Sequence, residues 1–123
     1  SAGLDISAAI DEPITIEPLS TVLIPTNIAI ELEQGYECQV RTRSGLAIKN
    51  GIFALNAPGT IDSDYRGEIK IILSNFSKVP FTINRGDRIA QIVFAKYEQA
   101  SIVEVKKLDD TIRGSDGFGS SGV

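Results

Sequence analysis

An all-β sandwich or jelly roll is the fold this sequence predicts, and three observations carry that reading. Apolar and polar residues alternate with a period of two in several short runs, as they do in half-buried strands. Five prolines, at positions 13, 18, 25, 58 and 80, punctuate the first two thirds of the chain, where β-branched residues are dense. Turn signals rich in Gly, Asn and Asp separate the runs, and many short strands joined in this way pack as two sheets or close on themselves.

Taken in chain order, "NIAIEL" (27–32) puts Ile28, Ile30 and Leu32 on one face of a strand. "SGLAIKNG" (44–51) is the one stretch that reads as a helical turn, with Ser44 before it and Gly51 after it. Residues 59–68, "GTIDSDYRGE", form a hairpin around the turn signal Asp64 to Gly67. "EIKIILSN" (68–75) sets Ile69, Ile71 and Leu73 on one face and Glu68, Lys70 and Ile72 on the other. "KVPFTI" (78–83), "RIAQIVFAKY" (88–97) and "SIVEVKKL" (101–108) are further strands, with a turn over Asn84 to Asp87. The last segment, "RGSDGFGSSGV" (113–123), holds four glycines and three serines beside a single aromatic, Phe118. Burial cannot order it, because fixing each residue costs about 1–2 kcal/mol and glycines lose most. Its composition suits a disordered tail and equally a flap that orders over a phosphate-bearing ligand.

The 123 residues fit one domain with a single core. No run approaches the roughly 18–20 consecutive apolar residues of a membrane span, and "SAGLDIS" lacks the basic and apolar regions of a signal peptide, so a soluble chain acting inside the cell is expected. The single cysteine, Cys38, excludes an internal disulfide and suits a reducing compartment. A net charge of −4 argues against nucleic-acid binding through a general basic field, but not against a small anion. Histidine is absent, which removes Ser-His-Asp chemistry, Cys-His chemistry and His-ligated zinc together. Catalysis is left to carboxylates, hydroxyls, arginines or a cation held through oxygen.

Three segments concentrate such groups. In residues 59–68, Asp62, Asp64, Tyr65, Arg66 and Glu68 crowd into the hairpin, where a carboxylate on a rigid turn is suited to orient and deprotonate a water. The same residues suit an ordinary polar turn. "RTRSGLA" (41–47) places Arg43 and Ser44 before Gly45, a combination fit for an oxyanion: a planar fork, a hydroxyl, and backbone N–H groups open to close approach. A short helix starting there adds its N-terminus to the site, and a capped turn with a solvated arginine is the plain alternative. In "NRGDRIAQ" (84–91), Arg88 and Gln91 serve equally as surface residues or ligand contacts.

In combination these segments say more. "AGLDIS" (2–7), "RSGLA" (43–47), "GTIDSDYRGE" (59–68), "GDRIAQ" (86–91) and "RGSDGFGSSG" (113–122) resemble, in order and approximate spacing, the five motifs of the trimeric dUTP pyrophosphatases, or dUTPases, across essentially the whole chain. The resemblance implies a distorted β jelly roll, or β-clip-like barrel, with one short helix at most, over residues 1–112, and a closing arm over 113–123. It implies a homotrimer with sites shared between subunits, hydrolysis of dUTP to dUMP and pyrophosphate, and Mg2+ carried on the triphosphate.

By the same resemblance, Asp62 orients the attacking water and touches the sugar 3′-hydroxyl. Tyr65 packs on the deoxyribose and leaves no room for a 2′-hydroxyl. Asn56, Thr60, Ile61 and Lys70 contact uracil and sugar, largely through backbone groups. Arg43, Ser44 and Gly45 bind phosphate, Gln91 contacts the phosphates or their water network, Arg88 supports that region, and Asp5 meets magnesium through a coordinated water. In the arm, Phe118 stacks on uracil while Arg113, Gly119, Ser120 and Ser121 bind the outer phosphates. An arm of this kind is expected to be disordered without ligand and ordered with it. Asp116 departs from the family's usual glycine, and Ser121 replaces the commoner threonine. The sequence starts almost at the first motif, ahead of which family members usually carry a further strand.

Two alternatives stand beside that reading. The related dCTP deaminases share the fold but use a glutamate where Ile72 aligns here, and isoleucine shuttles no protons. A nucleotide-binding regulatory protein on the same fold is the other. Retention of Asp62 with the phosphate-binding residues favours the enzyme.

Overall fold

The structure, a computed structural model, describes residues 1–122. Strands β1 (Gly3–Ser7), β2 (Ile14–Ile16), β3 (Thr21–Pro25) and β4 (Tyr36–Arg41) precede the single short helix α1 (Ser44–Asn50); β5 (Ile52–Ala54), β6 (Gly59–Ile61), β7 (Lys70–Asn75), β8 (Phe81–Ile83) and β9 (Arg88–Lys96) follow it. The expected all-β class with one helix is what the chain adopts. The strands form a four-stranded sheet in the order β1-β9-β4-β6, a three-stranded sheet β3-β7-β5 and the pair β2-β8. All the pairings are antiparallel.

The alternation that predicted β7 holds: Ile69, Ile71 and Leu73 are buried, whereas Lys70 faces solvent. With Ile6, Ile16, Ile24, Ile52, Ile83 and Ile89 they make one core between the sheets, each side chain contributing about 1.5–3 kcal/mol by its removal from water. Asn75 is the polar exception, and it is fully paired. Its Nδ2 donates to the carbonyls of Ile16 and Val79, both at 2.8 Å, and its Oδ1 accepts from Ser77 N–H at 2.8 Å, tying the end of β7 to β2 and to the following turn. Cys38 is sealed in the core, and burial, followed by the nearby Glu37 carboxylate, pushes its thiol pKa up.

The helix forms where expected and stops at Gly51, whose left-handed φ of 65° lets its N–H reach Ala47 O at 3.0 Å. Ser44 does not precede it as a cap: it is the first helical residue, and Arg43 occupies the cap position without a side-chain cap bond.

Three expectations need correction. Residues 27–32 form no strand; their recorded backbone tie is Ile69 N–H to Ile28 O at 2.8 Å, while Ile30 and Leu32 pack on the core and Ile28 lies open. Residues 101–108 form no strand either. Ile102, Val103, Val105 and Leu108 are exposed, and an apolar β-branched run without a ladder partner gains nothing from its propensity. The hairpin over 59–68 is an inter-sheet crossing, since β6 pairs with β4 in one sheet and β7 with β3 and β5 in another.

Candidate active site

That crossing opens a cavity of about 420 Å³ between the two sheets, lined by Val40, Asn56, Gly59, Thr60, Ile61, Asp62, Tyr65, Glu68, Ile69 and Lys70. Six residues that the family resemblance implied for the site, Asn56, Thr60, Ile61, Asp62, Tyr65 and Lys70, therefore share one hollow. β6 is the edge strand of its sheet, hydrogen-bonded to β4 on one margin. Its other margin, among the described residues, meets no further strand, so backbone donors and acceptors are free there for a planar heterocycle with a complementary edge. Gly59 is closely packed: a Cβ there would stand 3.0 Å from Asn56 Nδ2, so the Asn56 amide would have to give way, and 3.5 Å from Val40 Cβ, an ordinary contact.

Asp62 opens the turn that ends the cavity. Its carbonyl accepts Tyr65 N–H at 3.1 Å, and its side chain is exposed at the cavity rim. Arg66 stitches the same turn, donating from Nη1 to Ser63 O at 2.6 Å and to Tyr65 O at 3.3 Å. The Tyr65 hydroxyl donates to Glu68 O at 2.8 Å, which turns the phenol back along the loop.

A second group of expected residues gathers elsewhere. Asp5 on β1 accepts from Arg43 Nε at 3.1 Å and from Arg88 Nη1 at 3.4 Å, and Arg43 Nη1 also reaches Arg88 O at 3.4 Å. Gln91 is the register partner of Asp5 on one side and of Arg41 on the other, and its Nε2 donates to Thr42 O at 3.4 Å. Arg43 and Arg88 line a hollow of about 350 Å³ that shares no residue with the first. Ser44 and Gly45 lie exposed beside it, with open space where a Gly45 Cβ would stand. The two guanidiniums thus face a carboxylate on one side and solvent on the other, an arrangement that can accept a second oxyanion.

The family model described as dUTPase matches residues 1–122. The chain belongs to the dUTPase family. Two relatives of this dUTPase-family chain, each called deoxyuridine 5'-triphosphate nucleotidohydrolase, come from Cytophaga hutchinsonii and Neorickettsia sennetsu. Both are 57% identical over 122 residues, 99% of this chain and 79% and 82% of theirs. Among solved structures, a mutant dUTPase of Staphylococcus bacteriophage 80alpha with dUpNHpp superposes with a TM-score of 0.89 at 26% identity, over 100% of this chain and 87% of that one.

Residues 113–122 of this dUTPase, the expected arm, line neither hollow of their own chain. Arg113, Phe118, Gly119, Ser120 and Ser121 are in turns closed by Asp116 N–H to Arg113 O (3.2 Å), Ser120 N–H to Gly117 O (3.0 Å) and Gly122 N–H to Gly119 O (2.9 Å), and Arg113 Nε donates to Asp116 O at 2.6 Å. Val123 is outside the described residues. Ile72, the residue that argued against a deaminase, pairs with Leu23 in the β3-β7 ladder and does not line the cavity.

Sequence reasoning missed Val40, Gly59 and Ile69 as cavity walls, and Asn27 as a brace on the loop. Val40 reaches the cavity through its pairing with Gly59, which no local pattern reports. Gly59 and Ile69 lay inside or beside the quoted motif, so a signal for them existed.

Proposed function

We propose that the chain hydrolyses dUTP to dUMP and pyrophosphate by attack of water on the α-phosphorus, in the cavity between β6 and β7. The observation that carries this is the meeting of an edge strand with free backbone groups, an exposed carboxylate and a fixed phenol at one hollow. Uracil presents O4 as an acceptor and N3–H as a donor, which suits the β6 margin near Thr60 and Ile61; cytosine would leave buried polar groups unpaired at about 1–3 kcal/mol each. Tyr65 forms the wall against the sugar, and Asn56 and Lys70 flank it. Asp62 at the rim orients the water and takes its proton as the new P–O bond forms; the bond from the α-phosphorus to the bridging oxygen breaks and pyrophosphate leaves.

The phosphates extend toward Arg43, Ser44, Gly45 and Gln91, with Arg88 in support. Among the described residues those groups do not line the cavity that holds Asp62, and Ile102, Val103, Val105, Leu108 and Ile112 are exposed. Both facts favour a homotrimer in which each site is completed by neighbouring copies, with Arg113, Phe118, Gly119, Ser120 and Ser121 of an arm closing over the nucleotide. Closure excludes water and strengthens the electrostatics around the reacting phosphate.

Among the described residues no three metal-ligating side chains cluster, and Asp5 stands as a single carboxylate already facing two arginines. Asp5 would be the residue that faces a magnesium ion carried by the triphosphate. When bound, such an ion would supply charge neutralisation of the phosphates. Among the described residues no helix is long and apolar enough to cross a membrane. The buried lone thiol suits a reducing, intracellular setting.

The test is incubation with dUTP, dCTP, dTTP and UTP plus magnesium in 18O-labelled water. Pyrophosphate from dUTP alone, with the label in dUMP, is the expected result. Label in pyrophosphate would place attack at the β-phosphorus and overturn the mechanism; ammonia from dCTP would favour the deaminase.

A further inference from the structure

We propose that Gly67 is a specificity-determining position of this enzyme and Glu68 a positioning residue: together they fix the Tyr65 phenol at the height that separates deoxyribose from ribose. The inference rests on the reading of Tyr65 as the sugar wall and goes beyond it by saying what holds that wall. Half-exposed on the cavity rim, Tyr65 has a ring that packing from the core does not lock. Two local contacts locate it instead.

The first is the floor. A Cβ built on Gly67 would collide with the phenol oxygen and stand 2.6 Å from Tyr65 Cζ, so the ring lies against bare backbone. Gly67 does not carry the left-handed φ that Gly51 and Gly86 do. No left-handed φ therefore demands glycine here; the neighbouring ring does, and an alanine Cβ would have to displace it. The second is the tether, the hydroxyl of Tyr65 donating to Glu68 O at 2.8 Å.

A floor positions a ring only if it does not itself move. Here the residues after the phenol are clamped to the exit of β3. The Glu68 carboxylate Oε2 accepts Asn27 N–H at 3.0 Å, Ile69 N–H donates to Ile28 O at 2.8 Å, and the buried Thr26 hydroxyl donates to Ile69 O at 2.5 Å. Asn27 itself sits at φ 56°, a conformation Asn tolerates better than most residues, and there its N–H points at the Glu68 carboxylate. The two segments are 41 residues apart, so the brace is tertiary. A wall fixed to within a few tenths of an ångström can reject one added hydroxyl, whereas a swinging one cannot.

The experiment measures kcat/KM for dUTP and for UTP in the full chain. Gly67→Ala is expected to lower the dUTP:UTP ratio by about tenfold or more. Tyr65→Ala lowers it as well, and the Gly67→Ala/Tyr65→Ala double variant goes no lower than Tyr65→Ala alone, because the Cβ acts through the ring. If Tyr65→Ala lowers the ratio and Gly67→Ala leaves it unchanged or raises it, this inference is wrong and the sugar-wall reading survives. If Tyr65→Ala itself leaves the ratio unchanged, the sugar-wall reading falls and the inference falls with it. Should Gly67→Ala fail to fold, Glu68→Ala and Glu68→Gln decide the matter. Glutamine keeps an oxygen for Asn27 N–H and preserves the ratio; alanine lowers it, and equal ratios in the two variants overturn the proposal.

Discussion

Residues 56–70 and residues 113–122, both of which the proposed function places at the nucleotide, are held by different means. The first segment spans two sheets, encloses a cavity, and is bonded to residues far away in sequence, as Glu68 is to Asn27 across 41 positions. The second is exposed almost throughout, and its recorded hydrogen bonds join residues three apart, such as Gly114 N–H to Thr111 Oγ1 at 2.9 Å. Bonds of that span close a turn without docking it on anything. The contrast suits the proposed division of labour, in which the part assigned to base and sugar is pre-organised, whereas the part assigned to the phosphates is stabilised by what it lands on.

Changes to the rigid half should act on chemistry first. Asp62→Asn is expected to lower kcat by about 10²–10⁴-fold, the usual worth of a positioned general base, with little change in KM. Single-turnover measurement with dUTP checks it, and native speed in that variant would break the comparison at its strongest point. Removal of residues 113–123 should lower kcat/KM by about 10²-fold, through lost closure, while thermal unfolding stays where it was. A large fall in Tm would mean that the arm belongs to the folded body after all.

Phe118→Ala refines the same point. The side chain is fully exposed in its own chain, so stability should change by less than about 0.5 kcal/mol. kcat/KM should fall by the worth of one base–aromatic stack, about 1–3 kcal/mol. The smallest effect is expected from Arg66→Ala, which removes the donors to Ser63 O and Tyr65 O. It should cost about 0.5–1.5 kcal/mol in urea unfolding, and affect UTP discrimination no more than Gly67→Ala does.

The second half of the fold was the part legible along the chain; β1 to β5 were not marked by any pattern read from the sequence. The helix at 44–50 ended at its glycine, and the strands at 70–75, 81–83 and 88–96 fell where period and turn chemistry put them. The failures share a cause. "NIAIEL" and "SIVEVKKL" have strand composition, but a strand exists only beside another, and within one chain neither finds a ladder. The limbs of residues 59–68 have the turn of a hairpin and still part company, since the pairing of β6 with β4 and of β7 with β3 wins over local closure.

The site divides in the same way. Asp62, Tyr65 and their neighbours stand close in sequence, and a quoted motif was enough to group them. That Asp5 lies against Arg43 and Arg88, 38 and 83 positions away, was invisible to any local pattern, as was the space beneath the Tyr65 ring that excludes a side chain at Gly67.

By itself, the sequence determined the chemical vocabulary: no histidine, a carboxylate in a tight turn, arginine beside serine and glycine, and a tail too poor in apolar residues to bury itself. Only the tertiary structure decided which of those groups share a hollow, because turns and periodicity are set by neighbours a few residues apart. Which strands meet across the core is chosen by the burial of isoleucines that lie tens of residues from one another.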